Sequence, residues 1–292
     1  MHKNVNQEKN KATFLNQFAF FISVPALLWQ VFFLLVPVFY MVAMSFSTNK
    51  SFFSLHFYVG VFEKLYIESL MRSFFLALST TFFCFICAYP VAYFLALYVN
   101  KWKNILFFLI ILPFWTNVLV QVYAWFFILE PYGIVNSFLL KIGFIQEPLM
   151  LLNSTLAVFL GMVYCYMPFM IMPLYILFES FDIKYLEASA DLGATSIETF
   201  RYITLPMSLA GIKTGFFLVF IPVFGEFLIP TLLGGGKKLY VGTLITHFFL
   251  IMQEPKMGAA FTVISGIVLF FSATISYWCL KKIILRAGRI SK

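Results

Sequence analysis

Six apolar stretches, each near or above the roughly 20 residues a helix needs to cross a ~30 Å hydrocarbon core, decide most of what this chain can become. They cover about 18–46, 70–98, 105–129, 154–178, 210–233 and 257–280. Inside lipid a lone strand leaves its backbone groups unpaired, so helices are the expected spanning elements. Only 11% of the 292 residues are charged, against roughly 25% in a soluble domain, which leaves too few to coat a water-facing surface. The expected fold class is therefore an all-α polytopic membrane protein with six transmembrane helices.

The first run follows a polar tail, 1–17, much as a secretory signal would, and Ala43-Met44-Ser45 has the small residues of a cleavage site. It is far longer than the ~7–15 apolar residues of a signal core, so it reads as a retained span. Lys and Arg set the orientation. With the N-terminus cytosolic, the inner side holds Lys3, Lys9, Lys11, Lys101, Lys103, Lys184, Arg201, Lys213, Lys281, Lys282, Arg286, Arg289 and Lys292, leaving seven of the 20 basic residues outside. Both termini are expected to be cytosolic, with the basic tail 281–292 facing anionic lipid headgroups. These basic flanks form no stripe of the kind nucleic-acid binding needs.

Cys84, Cys87, Cys165 and Cys279 all lie in apolar runs. The Cys84–Cys87 spacing of C-x-x-C has no second Cys or His pair nearby, so neither a metal site nor a cofactor is expected. Small residues recur every three or four positions at Ala77, Thr81, Cys84, Ala88, Ala92 and Ala96, and again at Gly258, Thr262 and Gly266. Such stripes mark faces where helices approach closely.

One polar island interrupts the apolar pattern. The fourth and fifth spans are joined by a long loop, 179–209, that reads as two short helices. Asp182 is placed to cap a helix over Ile183–Leu192, Gly193 suits its left-handed exit, and Thr195 with Glu198 forms a capping box for the next. Pro206 marks the return to the membrane. Glu187 and Asp191 lie one turn apart, a like-charge pair that a basic partner would relieve, although a solvated acidic face also fits.

The residues Glu187-Ala188-Ser189, then Gly193, then Ile203, Leu205 and Pro206 resemble the signature loop of permease subunits of bacterial ABC importers. The pattern is met in spacing throughout and departs once, at Ser189, where that family usually has Ala. The resemblance implies the six-helix importer permease (MetI-like) fold in the bacterial inner (plasma) membrane. It further implies that the first loop helix docks on a cytosolic ABC ATPase dimer, with Glu187, Ala188, Asp191, Gly193, Ile203, Leu205 and Pro206 as the coupling residues. A second, non-identical permease chain and an extracytoplasmic substrate-binding protein are implied as partners, the latter on loops 130–153 and 234–256. The chain itself would be a non-catalytic subunit. Consistently, Gly234-Gly235-Gly236-Lys237-Lys238 lacks the first Gly and the final Ser or Thr of a phosphate-binding loop.

Other stretches, among them Leu112-Pro113-Phe114-Trp115-Thr116-Asn117, Val122-Tyr123-Ala124-Trp125 and Ile221-Pro222-Val223-Phe224-Gly225-Glu226, resemble polyamine (spermidine/putrescine) import permeases. Glu226 is the one acid deep in a span, and an intramembrane carboxylate is by default a functional candidate. Asn117 and Gln121 fall at a similar depth, and Trp115, Tyr123 and Trp125 offer faces that attract ammonium groups. Interfacial anchoring of Trp125 and packing of Trp115 are the alternative readings of the aromatic residues, and an interhelical hydrogen bond of the protonated acid is that of Glu226. Other cargoes within the same family remain open. So does an ion-coupled carrier, for which Glu226 would be the coupling acid. A membrane enzyme is disfavoured because His2, His56 and His247 are scattered.

Overall fold

The computed structural model describes the backbone of residues 2–47 and 54–287 and the side chains of 24–47 and 54–282. Residues 288–292 of the basic tail, and the side chains of the 1–17 tail, lie outside the described residues. Every regular element among the described residues is helical. The chain opens with α1 (His2–Phe46), unbroken although it contains Pro25 and Pro37. A short α2 (His56–Gly60) leads to the long α3 (Lys64–Leu97). Then come α4 (Lys103–Ile111) with a 3-10 turn over Leu112–Trp115, α5 (Val118–Leu129), α6 (Ile134–Lys141) and α7 (Thr155–Glu179).

The polar island forms α8 (Lys184–Asp191), α9 (Ser196–Thr199), a π turn over Phe200–Thr204 and α10 (Leu205–Met207). The chain returns through α11 (Leu209–Gly225) and α12 (Leu228–Gly234). It closes with α13 (Val241–Thr246), a π turn over His247–Ile251, and α14 (Pro255–Ala287). Among the described residues five helices are long and apolar enough to cross a membrane, or six if Ser196–Met207 and Leu209–Gly225, bent by 63°, count as one span.

The core is a packed triangle of α3, α7 and α11. Lipid tails are as apolar as Leu, so these helices associate through close van der Waals fit. The α3 stripe supplies that fit: Ala77, Thr81, Cys84, Ala88, Ala92 and Ala96 are all buried. On α11 an added Cβ at Gly215 would stand 2.5 Å from the Met170 sulfur, and one at Gly211 would stand 3.0 Å from the Pro173 carbonyl oxygen. Those two glycines let α11 lie directly on α7. The second stripe divides: an added Cβ at Gly258 would stand 2.9 Å from the Phe249 ring, whereas Thr262 and Gly266 of α14 share a looser groove with Val38, Met41 and Val42 of α1.

Two stretches expected as continuous spans are divided. The stretch 105–129 is two helices separated at Thr116-Asn117, because Pro113 tightens the chain into a 3-10 turn and Asn117 caps a new helix. The stretch 210–233 breaks after Gly225, where Glu226 is extended (φ −66°, ψ 133°). Each break falls on a short polar interruption of an otherwise apolar run, Thr116-Asn117 and Gly225-Glu226. Non-helical backbone at this depth is tolerated where it is buried in protein or lines a cavity.

Candidate functional site

The break at Glu226 is built by its own side chain. The first N–H groups of α12 have no helical partner, and Glu226 Oε1 accepts from two of them, Phe227 N at 3.0 Å and Leu228 N at 2.8 Å. Its Oε2 accepts from the Tyr166 hydroxyl at 2.5 Å. In the interhelical bond anticipated for this acid, Tyr166 is the donor. Three of roughly four acceptor positions on the carboxylate of this half-buried residue are thus used. Pro222, one turn before the break, has no N–H, which leaves the Leu218 carbonyl of α11 without its usual helical donor.

Backbone closes the other side. An added Cβ at Gly242 of α13 would fall 2.3 Å from the Gly225 carbonyl oxygen and 2.7 Å from that of Glu226. Only glycine permits that approach. Val241 N, next to it, donates to Ser73 Oγ of α3 at 2.8 Å, so the segment after α12 is held against the break.

The second break lies across α7 from the first. Gln121 donates through Nε2 to the Pro113 carbonyl and to Thr116 Oγ1, the latter at 2.7 Å, which ties the 3-10 turn to α5. Its Oε1 accepts from Cys165 Sγ at 3.5 Å. Cys165 and Tyr166 are neighbours on α7, so Gln121 and Glu226 are joined in one layer through two consecutive residues. Asn117 stands one turn before Gln121 and accepts from Gln121 N through its carbonyl at 3.3 Å. It is the N-cap of α5, accepting from Leu119 N at 2.8 Å.

The aromatic candidates divide. Trp125 packs edge-on against Tyr164 of α7 with ring centroids 5.5 Å apart. Trp115 is 78% exposed and meets Phe108 at 6.3 Å, and Tyr123 is 48% exposed, so these two keep open faces. Sequence reading missed Tyr166, Cys165, Thr116 and Gly242. Tyr164-Cys165-Tyr166, polar groups within an apolar run, was the available signal for the first two.

At the other end of α11 stands the loop. Its first helix exits through Gly193 at φ +80°, with Gly193 N donating to Ala190 O at 2.9 Å and Ala194 N to Ser189 O at 3.0 Å. Thr195 and Glu198 form the expected capping box. Asp182 accepts from Lys184 N at 3.1 Å, just before the helix begins. Glu198, outside the membrane-spanning helices, has its carboxyl pKa lowered by the Thr195 backbone N–H first and the Thr195 hydroxyl second.

Ser189, the one departure from the signature, is buried and bonds to Thr199 Oγ1 at 2.9 Å, fastening α8 to α9. Glu187, Ala188, Asp191 and Gly193 are exposed, whereas Ile203, Leu205 and Pro206 are half-buried at the loop's root. Among the described residues Glu187 and Asp191 make no ion pair. Leu192 at 88% and Ile197 at 78% exposure put apolar surface beside those acids.

The root is wired into the core. Ser208, at the 63° bend, bonds to the Tyr89 hydroxyl of α3 at 3.1 Å. The Tyr89 ring meets Phe200 of the loop at 5.6 Å and Phe178 of α7 at 5.2 Å. One helix, α11, then runs 17 residues from this knot to Glu226, about 25 Å at 1.5 Å per residue.

Comparison with known proteins places this geometry. A spermidine/putrescine transport system permease protein, PotB, of Escherichia coli K12 is 38% identical over 256 residues, covering 86% of this chain and 93% of that protein. Its Haemophilus influenzae counterpart is 36% identical over 83% of this chain and 88% of its own length. A subunit in the crystal structure of a bacterial alginate ABC transporter, bound to a periplasmic protein carrying an alginate pentasaccharide, superposes with a TM-score of 0.77. That match covers 96% of this chain and 98% of the subunit at 16% identity, so it speaks to fold alone. Residues 88–287 match the family described as binding-protein-dependent transport system inner membrane component. With the ABC importer permease fold and that match over most of its length, the chain belongs to the inner-membrane components of binding-protein-dependent transport systems.

Proposed function

We propose that this chain forms half of the membrane path of an ATP-driven polyamine importer and carries the stroke of a separate cytosolic ATPase to that path. The observation that carries the reading is the Glu226 carboxylate, held open in a helix break by Tyr166 at 2.5 Å. An acid kept there against the cost of lipid suits a substrate made of ammonium groups. Spermidine and putrescine are the cargo named for the relatives at 38% and 36% identity. Trp115 and Tyr123, with open ring faces, add cation–π sites along the same path, and Gln121, Asn117 and Trp125 shape it.

In this proposal loop 179–209 and both termini face the cytosol, and the ATPase dimer grips Glu187, Ala188, Asp191 and Gly193 together with the exposed Leu192. Ile203, Leu205 and Pro206 root the loop, and the Tyr89–Ser208 contact passes its movement to α11. A second permease completes the path, and a substrate-binding protein docks at the opposite end, on 130–153 and 234–256.

Replacing Glu226 with Gln keeps the size and one acceptor. It should cut uptake of labelled spermidine and putrescine at least about tenfold, as expected when one charge-assisted contact is lost, with normal amounts of assembled complex. Unchanged uptake would make Glu226 a structural cap and remove it from the path.

A further inference from the structure

Two cavities at the end of α7 away from the loop share one wall made by Thr155, Lys238 and Tyr240. The smaller, about 250 Å³, takes in the polar side chains of Asn153, Ser154 and Lys237. The larger, about 790 Å³, is an open groove between α3 and α7 walled by Met71, Phe75, Leu76, Leu156 and Phe159, with Arg72 and Glu68 near its upper rim. An edge-on pair of rings, Phe83 and Phe159 at 5.0 Å, meets across its foot.

The charges collect at one level. Lys238 Nζ donates to Thr155 Oγ1 at 2.8 Å, and among the described residues neither Lys237 nor Lys238 has a carboxylate partner. Glu68 is already paired with Arg72 at 2.6 Å and with Lys64 at 4.0 Å. The mouth therefore keeps a positive excess, while the groove below it is apolar. From Arg72 to Phe83 the wall of α3 is eleven residues deep, about 17 Å at 1.5 Å per residue. Half of a ~30 Å hydrocarbon core is about 15 Å, so the groove is one leaflet deep.

We infer that this pair of cavities is a binding site for a single anionic phospholipid, with the phosphate on Lys237, Lys238 and Thr155 and one acyl chain lying along α3 down to Phe83. A soluble anion would have no use for the groove, and a neutral hydrocarbon none for the lysines. The site is separate from Glu226 and from loop 179–209, borders the 234–256 segment proposed above for the binding protein, and does not depend on which solute is carried.

The test uses the whole purified transporter, titrated with phosphatidylglycerol and with phosphatidylcholine of matched chains, bound lipid being counted by native mass spectrometry. Phosphatidylglycerol should be retained preferentially. The double variant Lys237→Gln, Lys238→Gln, both on exposed positions, should weaken it roughly thirtyfold, the sum expected for two cations at a membrane surface. Ser79→Phe, which fills the groove and leaves the lysines alone, should weaken both lipids. Millimolar inorganic phosphate should not displace the bound lipid. Equal retention by the lysine variant, no preference between headgroups, or displacement by phosphate would each overturn the assignment.

Discussion

Gly242→Ala tests the backbone side of the Glu226 break with the smallest possible addition. The new methyl carbon would sit 2.3 Å from the Gly225 oxygen, 2.7 Å from the Glu226 oxygen and 2.8 Å from the Glu226 carbonyl carbon. All three are main-chain atoms, so no side chain can rotate away, and the segments must part by on the order of 1 Å to reach ordinary contact. Overpacking of this kind costs about 1–3 kcal/mol. A shift of that size also stretches the 2.5 Å Tyr166–Glu226 bond toward the limit of useful hydrogen bonding, forfeiting up to about 1.5–3 kcal/mol. The expected result is uptake reduced by at least about tenfold together with faster thermal inactivation of the purified complex. Gly266→Ala, where nothing lies within 4 Å of the added carbon, is the control and should behave as the parent. A Gly242→Ala protein that transports and resists heat normally would refute the claim that α13 clamps the break.

Reversing Glu187 to Lys puts a cation on the exposed face of α8 and should abolish ATP-driven uptake while the protein still inserts. Co-purification of the ATPase and its basal hydrolysis report whether docking or coupling was lost, and full activity would remove the loop from the transmission. Tyr166→Phe deletes one donor to Glu226 and should lower uptake by about 1.5–3 kcal/mol of lost interaction. In a double variant with Glu226→Gln the two effects should overlap, because they act through one bond, and simple additivity would show that they do not. The α9 cap should be pH-sensitive in one direction. Hydrogen bonds from the Thr195 backbone and hydroxyl hold the Glu198 carboxyl below the usual carboxylate range in the folded loop, so its contribution is present above the unfolded pKa and is lost as pH falls through the folded one. Hydrogen exchange at residues 196–199, corrected for intrinsic rates, should stay protected at pH 5 and rise only below about 4.5. Loss of protection already near pH 6 would contradict the cap's role.

What the sequence disclosed was local. Glu198 lies three residues from Thr195, and Gly193 one residue past its helix, so caps and the left-handed exit could be read from spacing alone. The apolar runs announced a membrane protein, yet they hid both helix breaks, because each run resumes at once after the short polar interruptions Thr116-Asn117 and Gly225-Glu226. Pro113 and Pro222 hinted at interruptions without fixing where the next helix would be capped. The partnership of Glu226 with Tyr166 spans 60 residues of chain and follows from α11 lying on α7 through Gly211 and Gly215, a contact no periodicity reveals. Gly242 looked like an ordinary loop glycine, and its role appears only against the carbonyls it faces. Ser189, the one departure from the signature, bonds α8 to α9.

The central claim is that ATP hydrolysis elsewhere drives polyamines past Glu226, and it is tested most directly by reconstituting this chain with its partner permease, ATPase and substrate-binding protein. ATP hydrolysis should rise when the binding protein is loaded with spermidine or putrescine, and Glu187→Lys should erase that rise. If no polyamine stimulates hydrolysis while another solute does, the cargo assigned here is wrong.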